Sequence, residues 1–176
     1  MVSIMYYYLN IFFLFSILGH FIENFVYVHV DSGILFGFWT PIYGFGVVLI
    51  LIIDYVLRKL KVNKYIFPLV LFVFSAIFLS TLEYIGGTII ESLFGRVFWD
   101  YSYEEFHIGK YTSLKMCLLW GGASILVIYL LKPFLDKFIK KVPKFITYIL
   151  VLLFIVDIIA TFISLGNNIT LTHYLK

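Results

Sequence analysis

The sequence predicts an all-α protein, a polytopic membrane helix bundle of about five transmembrane helices, and three observations predict it. Hydrophobic residues make up 62% of the 176 positions, against roughly half in an ordinary soluble domain. Mean hydropathy is +1.03. The apolar residues also come in blocks rather than amphipathic stripes, and five blocks reach the ~20 residues that cross hydrocarbon.

The first block runs from about Ile4 to Val28. No basic stretch precedes it, it is too long for the apolar region of a signal peptide, and no small-residue cleavage site follows, so it is read as a retained helix. The second runs from about Phe38 to Leu57, opened by Thr40 and Pro41, and proline suits the first helical position. The third covers about Tyr65 to Ile90, the fourth about Leu114 to Leu131, and the fifth about Phe145 to Leu165. Pro133 and Pro143 are expected to limit helix continuation after the fourth block. The longest connection is the stretch from Ser92 to Ser113, and residues 1–176 are expected to form one integral membrane domain.

Orientation follows from where the basic residues lie. Arg58, Lys59, Lys61 and Lys64 separate blocks two and three, and Lys132, Lys137, Lys140, Lys141 and Lys144 separate blocks four and five, nine of the thirteen Lys and Arg. Lys and Arg in short loops favour the cytoplasm. The N-terminus is therefore expected inside and the C-terminus outside, in the bacterial cytoplasmic membrane. These residues sit at helix ends, which makes them topogenic and excludes nucleic acid as the expected partner. No nucleotide-binding phosphate loop occurs, so ATP coupling would need a separate ATPase subunit. Cys117 is the one cysteine, which excludes an internal disulfide. No metal-binding spacing and no cofactor motif stand out.

The aromatic clusters Tyr6, Tyr7, Tyr8 and Phe98, Trp99, Tyr101, Tyr103 fall where interfacial belts place rings. The triplet Asn168, Ile169, Thr170 matches a glycosylation sequon on the expected outer side. Asp54 stands four residues before Arg58, the spacing of an ion pair along one helix face.

The remaining polar residues lie within the apolar blocks, where an ionisable group is expensive and faces protein or water. His20, Glu23 and Tyr27 share one helix face, and Glu23 lies roughly 28 Å from the inner end of its block, Glu83 roughly 24 Å. Glu91 follows Glu83 by about 12 Å of helix. Gly86 and Gly87 between them would let the helix bend or another backbone approach. The segment TPIYGFG from Thr40 to Gly46 begins on the same side, and Trp99 to Ser102 returns to it. These positions converge on one outer acidic, aromatic-lined site of His20, Glu23, Tyr43, Glu83, Glu91, Arg96, Trp99, Asp100, Tyr101 and, at its margin, His107. Two readings stand for it. The charges pair as interhelical glue, or they receive a cation, an amine-bearing solute or a lipid head group. Asp157, roughly 18 Å into the fifth block, shares a face with Thr161 and Ser164. It is a candidate proton or ion relay, or a hydrogen-bonded packing residue.

The strings PIYGFG (41–46), LEYIGGTIIESLFGRVFWDYS (82–102) and LLWGGASILVIYLLKP (118–133) resemble the family named Putative ABC-transporter type IV, small bacterial membrane proteins, over about residues 15–135. The resemblance implies a permease-like membrane component with Glu23, Pro41, Tyr43, Gly44, Glu83, Glu91, Trp99, Asp100, Tyr101 and Trp120 at its characteristic positions. His20 stands where the family suggests tryptophan, His107 where it suggests asparagine, and Lys110 where it suggests arginine. The short inner loops offer little surface for docking a motor protein.

Three functions compete at this stage. The first is a transport component acting as a homo-oligomer or with an ATPase subunit. The second is a membrane enzyme on a lipid or lipid-linked substrate, with Glu83 or Asp100 as base and His20 or His107 as proton carrier. The third is a non-catalytic accessory protein of an envelope complex. No catalytic signature singles out the second, and the partners expected are the lipid bilayer, a separate ATPase subunit and, in a homo-oligomer, further copies of the chain.

Overall fold

A computed structural model describes the backbone of residues 2–26 and 34–174 and the side chains of residues 4–25 and 34–165. Tyr27, the end of the first block at Val28 and the side chains of the sequon lie outside the described residues. Among the described residues five helices are long and apolar enough to cross a membrane, which makes this a multi-pass membrane protein. They are α1 (Val2–Val26), α2 (Pro41–Lys59), α3 (Phe67–Phe94), a fourth span built from α4 (Leu114–Ile125), a π-helical turn (Leu126–Leu131) and α5 (Lys132–Ile139), and α6 (Lys144–Tyr174).

The boundaries follow local chemistry. Pro41 opens α2 and Arg58 and Lys59 occupy its last turn, where cations suit the negative end of the helix dipole. Gly95 ends α3 with φ +63°, its N–H returning to the Glu91 carbonyl, the left-handed cap that glycine adopts without steric cost. Ser113 caps α4, its Oγ accepting from the Met116 N–H at 3.3 Å. Between α3 and α4 the chain makes an excursion that includes a two-residue antiparallel ladder of β1 (His107–Ile108) and β2 (Thr112–Ser113).

Two expected features of the helices change. The fourth span does not stop near Leu131; it continues to Ile139 through Pro133. An α-helical proline has no N–H and clashes with the carbonyl four residues back. Here the preceding turn widens into π geometry, with the Lys132 N–H bonded to the Val127 carbonyl, and Pro133 falls in the first turn of α5. The third helix also runs four residues beyond Ile90. Gly86 and Gly87 do not interrupt it. Gly87 receives the Tyr111 ring, while Gly86 faces open space.

The helices pack as two close pairs, α1 with α2 and α3 with α4, joined by α2 against α3. Ile11, Ile50, Leu71 and Leu79 form the buried centre. Gly44 brings α2 onto α1, since a Cβ there would lie 2.3 Å from Ser16 Oγ and 2.5 Å from the Phe12 carbonyl oxygen. α6 sits at the edge, held to α1 by the Phe12, Phe13 and Phe154 rings, by Thr147 donating to Asn10 at 3.0 Å, and by the Tyr6 and Tyr148 hydroxyls. Large apolar residues such as Ile77, Phe78, Leu152 and Ile159 point outward, as expected where hydrocarbon replaces water.

The chain reaches α2 by an unusual route. Thr40 donates its N–H to the Ser16 carbonyl at 2.9 Å. Since α1 continues ten residues past Ser16, α2 starts about 15 Å below the end of α1. Residues 34–40 therefore run back down into the bundle without helical hydrogen bonds of their own.

The glycine contacts predict opposite outcomes for two alanine substitutions. Gly44→Ala should force α1 and α2 apart and destabilise the protein by about 1–3 kcal/mol. Gly86→Ala should be neutral or stabilising by up to about 1 kcal/mol, because alanine is the better helix former. Thermal unfolding midpoints in detergent compare the two.

Candidate functional site

Glu83 is the most enclosed acid at the end of the bundle opposite the basic loops, 4% exposed. It sits three turns before the end of α3, and three neutral donors from separate parts of the chain converge on it. Tyr101 of the excursion donates to Oε1 at 3.2 Å. The Thr112 hydroxyl of β2 reaches Oε2 at 3.5 Å and the Trp120 indole N–H of α4 reaches the same oxygen at 3.3 Å.

Glu23 approaches from α1. Its Oε2 accepts from the Thr40 hydroxyl at 3.4 Å, and its carboxylate also takes a hydrogen bond from Tyr43. Thr40 makes no side-chain cap on α2; its hydroxyl serves the acid instead. Tyr43 packs against Gly19, where any Cβ would collide with the Tyr43 side chain, and its position one turn into α2 lets it lean back toward the helix start, as helical side chains do. The Tyr43 and Trp120 rings meet at 6.0 Å. This ring contact joins the two acids' surroundings, since Tyr43 bonds Glu23 and Trp120 bonds Glu83. The centre is therefore two carboxylates, three aromatic side chains and two threonines, with no basic partner on either acid among the described residues.

A second cluster lies above it. Glu91 accepts from Lys110 Nζ and from the Tyr111 hydroxyl, each at 2.6 Å. Tyr111 packs on Trp99 with ring centroids 5.7 Å apart and covers Gly87. Burial first, then the bond to Glu91, pushes the Tyr111 phenol up to about 12. The same Glu91 contact raises the Lys110 ammonium. Asp100 accepts from the Ser102 N–H at 2.8 Å, and Ser102 holds its carboxyl below the usual range. This cluster closes the excursion onto the end of α3.

The expected residues thus divide. Glu23, Tyr43, Glu83 and Tyr101 come together. Glu91, Trp99 and Asp100 belong to the excursion. His20 turns elsewhere, with Nε2 2.9 Å from Asn24 Nδ2 and its ring against Phe38, while Nδ1 is buried without a partner among the described residues. Arg96 is exposed and forms no ion pair among the described residues. His107 bonds the Gly109 carbonyl at 2.8 Å. Interhelical pairing of His20, Glu23, Glu83 and Arg96 is not what the geometry shows. Thr40 and Thr112 were not expected at the site; their partners come from other elements, so no local spacing marks them. Trp120 was marked by the family resemblance but not by the physical reading.

Asp157 is placed against the re-entrant segment. Its carboxylate accepts from the backbone N–H groups of Phe36 (3.0 Å) and Gly37 (2.8 Å), the Trp39 indole N–H (2.7 Å) and the Thr161 hydroxyl (3.3 Å). Non-helical backbone at membrane depth persists only where its polar groups are satisfied by protein. Asp157 supplies that acceptor, and in doing so ties α6 to the α1–α2 connection.

Fold and site together define a multi-pass membrane protein with a buried acidic centre near one end of its bundle. A model of the family described as Putative ABC-transporter type IV matches residues 10–163, and the chain belongs to that family. The matched stretch includes both carboxylates of the centre and Asp157. No curated protein and no solved structure matches the chain.

Asp157→Asn should turn an amide toward donors that need an acceptor. We expect a loss of at least about 2 kcal/mol, since each buried donor left unpaired costs about 1–3 kcal/mol. Trp39 fluorescence should shift as the segment loosens, measured in a variant lacking Trp99 and Trp120.

Proposed function

We propose that this chain is the membrane component of a transport system and that Glu23 and Glu83 receive a cationic or amine-bearing group of a small solute. The observation that carries the reading is the absence of any basic partner, among the described residues, on two neighbouring carboxylates inside a membrane bundle. Neutral hydrogen bonds stabilise a carboxylate but leave its charge uncompensated, and an uncompensated charge in a low-dielectric interior is expensive. A cation between the two acids supplies the compensation. The Tyr43 and Trp120 rings adjoin the two acids, and aromatic rings favour a neighbouring cation.

In this reading the basic end of the bundle faces the cytoplasm and the acidic centre opens outward, with the protein in the bacterial cytoplasmic membrane as a single membrane domain. Tyr101 and Thr112 lie over Glu83, so entry requires the excursion to lift. The ladder of two residue pairs, together with the Glu91 contacts, is small enough to release and re-form. The energy source is a separate ATPase subunit, in keeping with the family to which the chain belongs.

The test is thermal stability of the detergent-purified protein with sodium, potassium, methylammonium or ethanolamine as chloride salts. At least one should raise the midpoint, by an amount that grows with concentration as ligand linkage requires. Glu23→Gln and Glu83→Gln, which keep the side-chain shape, should remain monodisperse and lose the shift. The same shift in both variants, or no shift with any of the four salts, would overturn the reading.

A further inference from the structure

The opposite, basic end of the bundle holds a cavity of about 310 Å³ that the acidic centre does not use, lined among others by Tyr8, Asp54, Tyr55, Arg58, Lys132 and Asp136. Tyr7 and Tyr8 lie about one and a half turns from the start of α1, and Asp54 a similar distance from the end of α2. The cavity therefore sits one to two helical turns inside that end, at the depth where lipid head groups meet the chains.

Its walls are arranged for an acceptor-rich ligand. Arg58 and Lys132, far apart in sequence, bring a guanidinium and an ammonium to one cavity from two different spans. Each is steadied from within its own helix. Arg58 gives its Nε to Asp54 Oδ1 at 2.8 Å and stacks over the Phe67 ring. Lys132 gives one proton to Asp136 Oδ2 at 3.0 Å, while Tyr7 occupies Asp136 Oδ1 at 2.7 Å. Both oxygens of Asp136 are thus taken. The terminal guanidinium nitrogens of Arg58 and the remaining ammonium protons of Lys132 have no partner among the described residues. Planar and point-like donors around a cavity are the combination that binds phosphate oxygens. The surrounding Lys59, Lys61, Lys137 and Lys140 add positive potential at the same end.

We propose that this cavity is a binding site for a phosphate ester, held by Arg58 and Lys132, and that its source is the head group of an anionic phospholipid of the adjoining leaflet. A lipid can enter sideways, because Tyr55, 61% exposed, forms part of the wall that faces hydrocarbon. The site is independent of the acidic centre, and failure of either reading leaves the other standing.

The test is native mass spectrometry of the full chain in detergent, with added phosphatidylglycerol or phosphatidylcholine, and with glycerol 1-phosphate as the soluble phosphate ester. Phosphatidylglycerol should be retained in preference to phosphatidylcholine. Lys132→Gln, and the double variant Asp54→Asn with Arg58→Gln, which removes a pair without orphaning the buried acid, should each retain roughly tenfold less, the loss expected for a charge-assisted hydrogen bond. Lys64→Gln, at the same end but outside the cavity lining, should retain the lipid as before. Displacement of the lipid by millimolar glycerol 1-phosphate would support the phosphate site but assign it a soluble source. Equal retention of the two lipids, or wild-type retention by both cavity variants, would overturn the proposal.

Discussion

The end of the bundle opposite the basic loops is organised around one buried carboxylate. Glu83 sits where a membrane helix would ordinarily carry an apolar residue, and its oxygens must find donors because no water is at hand. The donors come from Tyr101, Thr112 and Trp120, so satisfying one side chain fixes the excursion, its small ladder and the start of the fourth span relative to α3. Glu23, Thr40 and Tyr43 add α1 and the beginning of α2 to the same point. An apolar residue at position 83 would remove the requirement, leaving the Glu91 contacts with Lys110 and Tyr111 to hold the excursion on α3.

A second constraint of the same kind shapes the other side of the α1–α2 hairpin. The segment that carries Trp39 and Thr40 to Glu23 is not helical, yet it lies well below the end of α1. Asp157 and the Ser16 carbonyl take up its N–H groups. This gives α6, otherwise the least embedded helix, a specific purchase on the bundle. It also explains how Thr40 can spend its hydroxyl on Glu23: Pro41 needs no N–H partner at the helix start, which lessens the demand for a side-chain cap.

Much of this was legible in the sequence. Block length and hydropathy located all five spans, and the Asp54–Arg58 pair was legible from i,i+4 spacing. Glu23 and Glu83 stood out because acids in apolar runs are conspicuous, and helical rise put them at similar depth. What escaped was whatever depends on partners from other elements. Pro133 reads as a stop until the π turn before it removes the conflict. Thr40 and Thr112 look like ordinary loop threonines. Arg96 reads as a counter-ion for the acids because opposite charges on the same side invite pairing, but it lies beyond the left-handed Gly95 and remains exposed. Asp157, placed by helical rise near the midplane and on one face with Thr161, gave no sign of its partners at Phe36, Gly37 and Trp39, since the re-entry of residues 34–40 has no local signature.

Cation binding as proposed requires Glu23 and Glu83 to act as one centre rather than as two separately satisfied acids. The most direct measurement is a double-mutant cycle on unfolding free energy in detergent, using Glu23→Gln, Glu83→Gln and the pair. Contacting residues show coupling of about 0.5–3 kcal/mol, whereas independent sites add within about 0.3–0.5 kcal/mol. A coupling above that limit, altered when a binding cation is added, is what a shared centre predicts. Additive effects, unchanged by any cation, would contradict it.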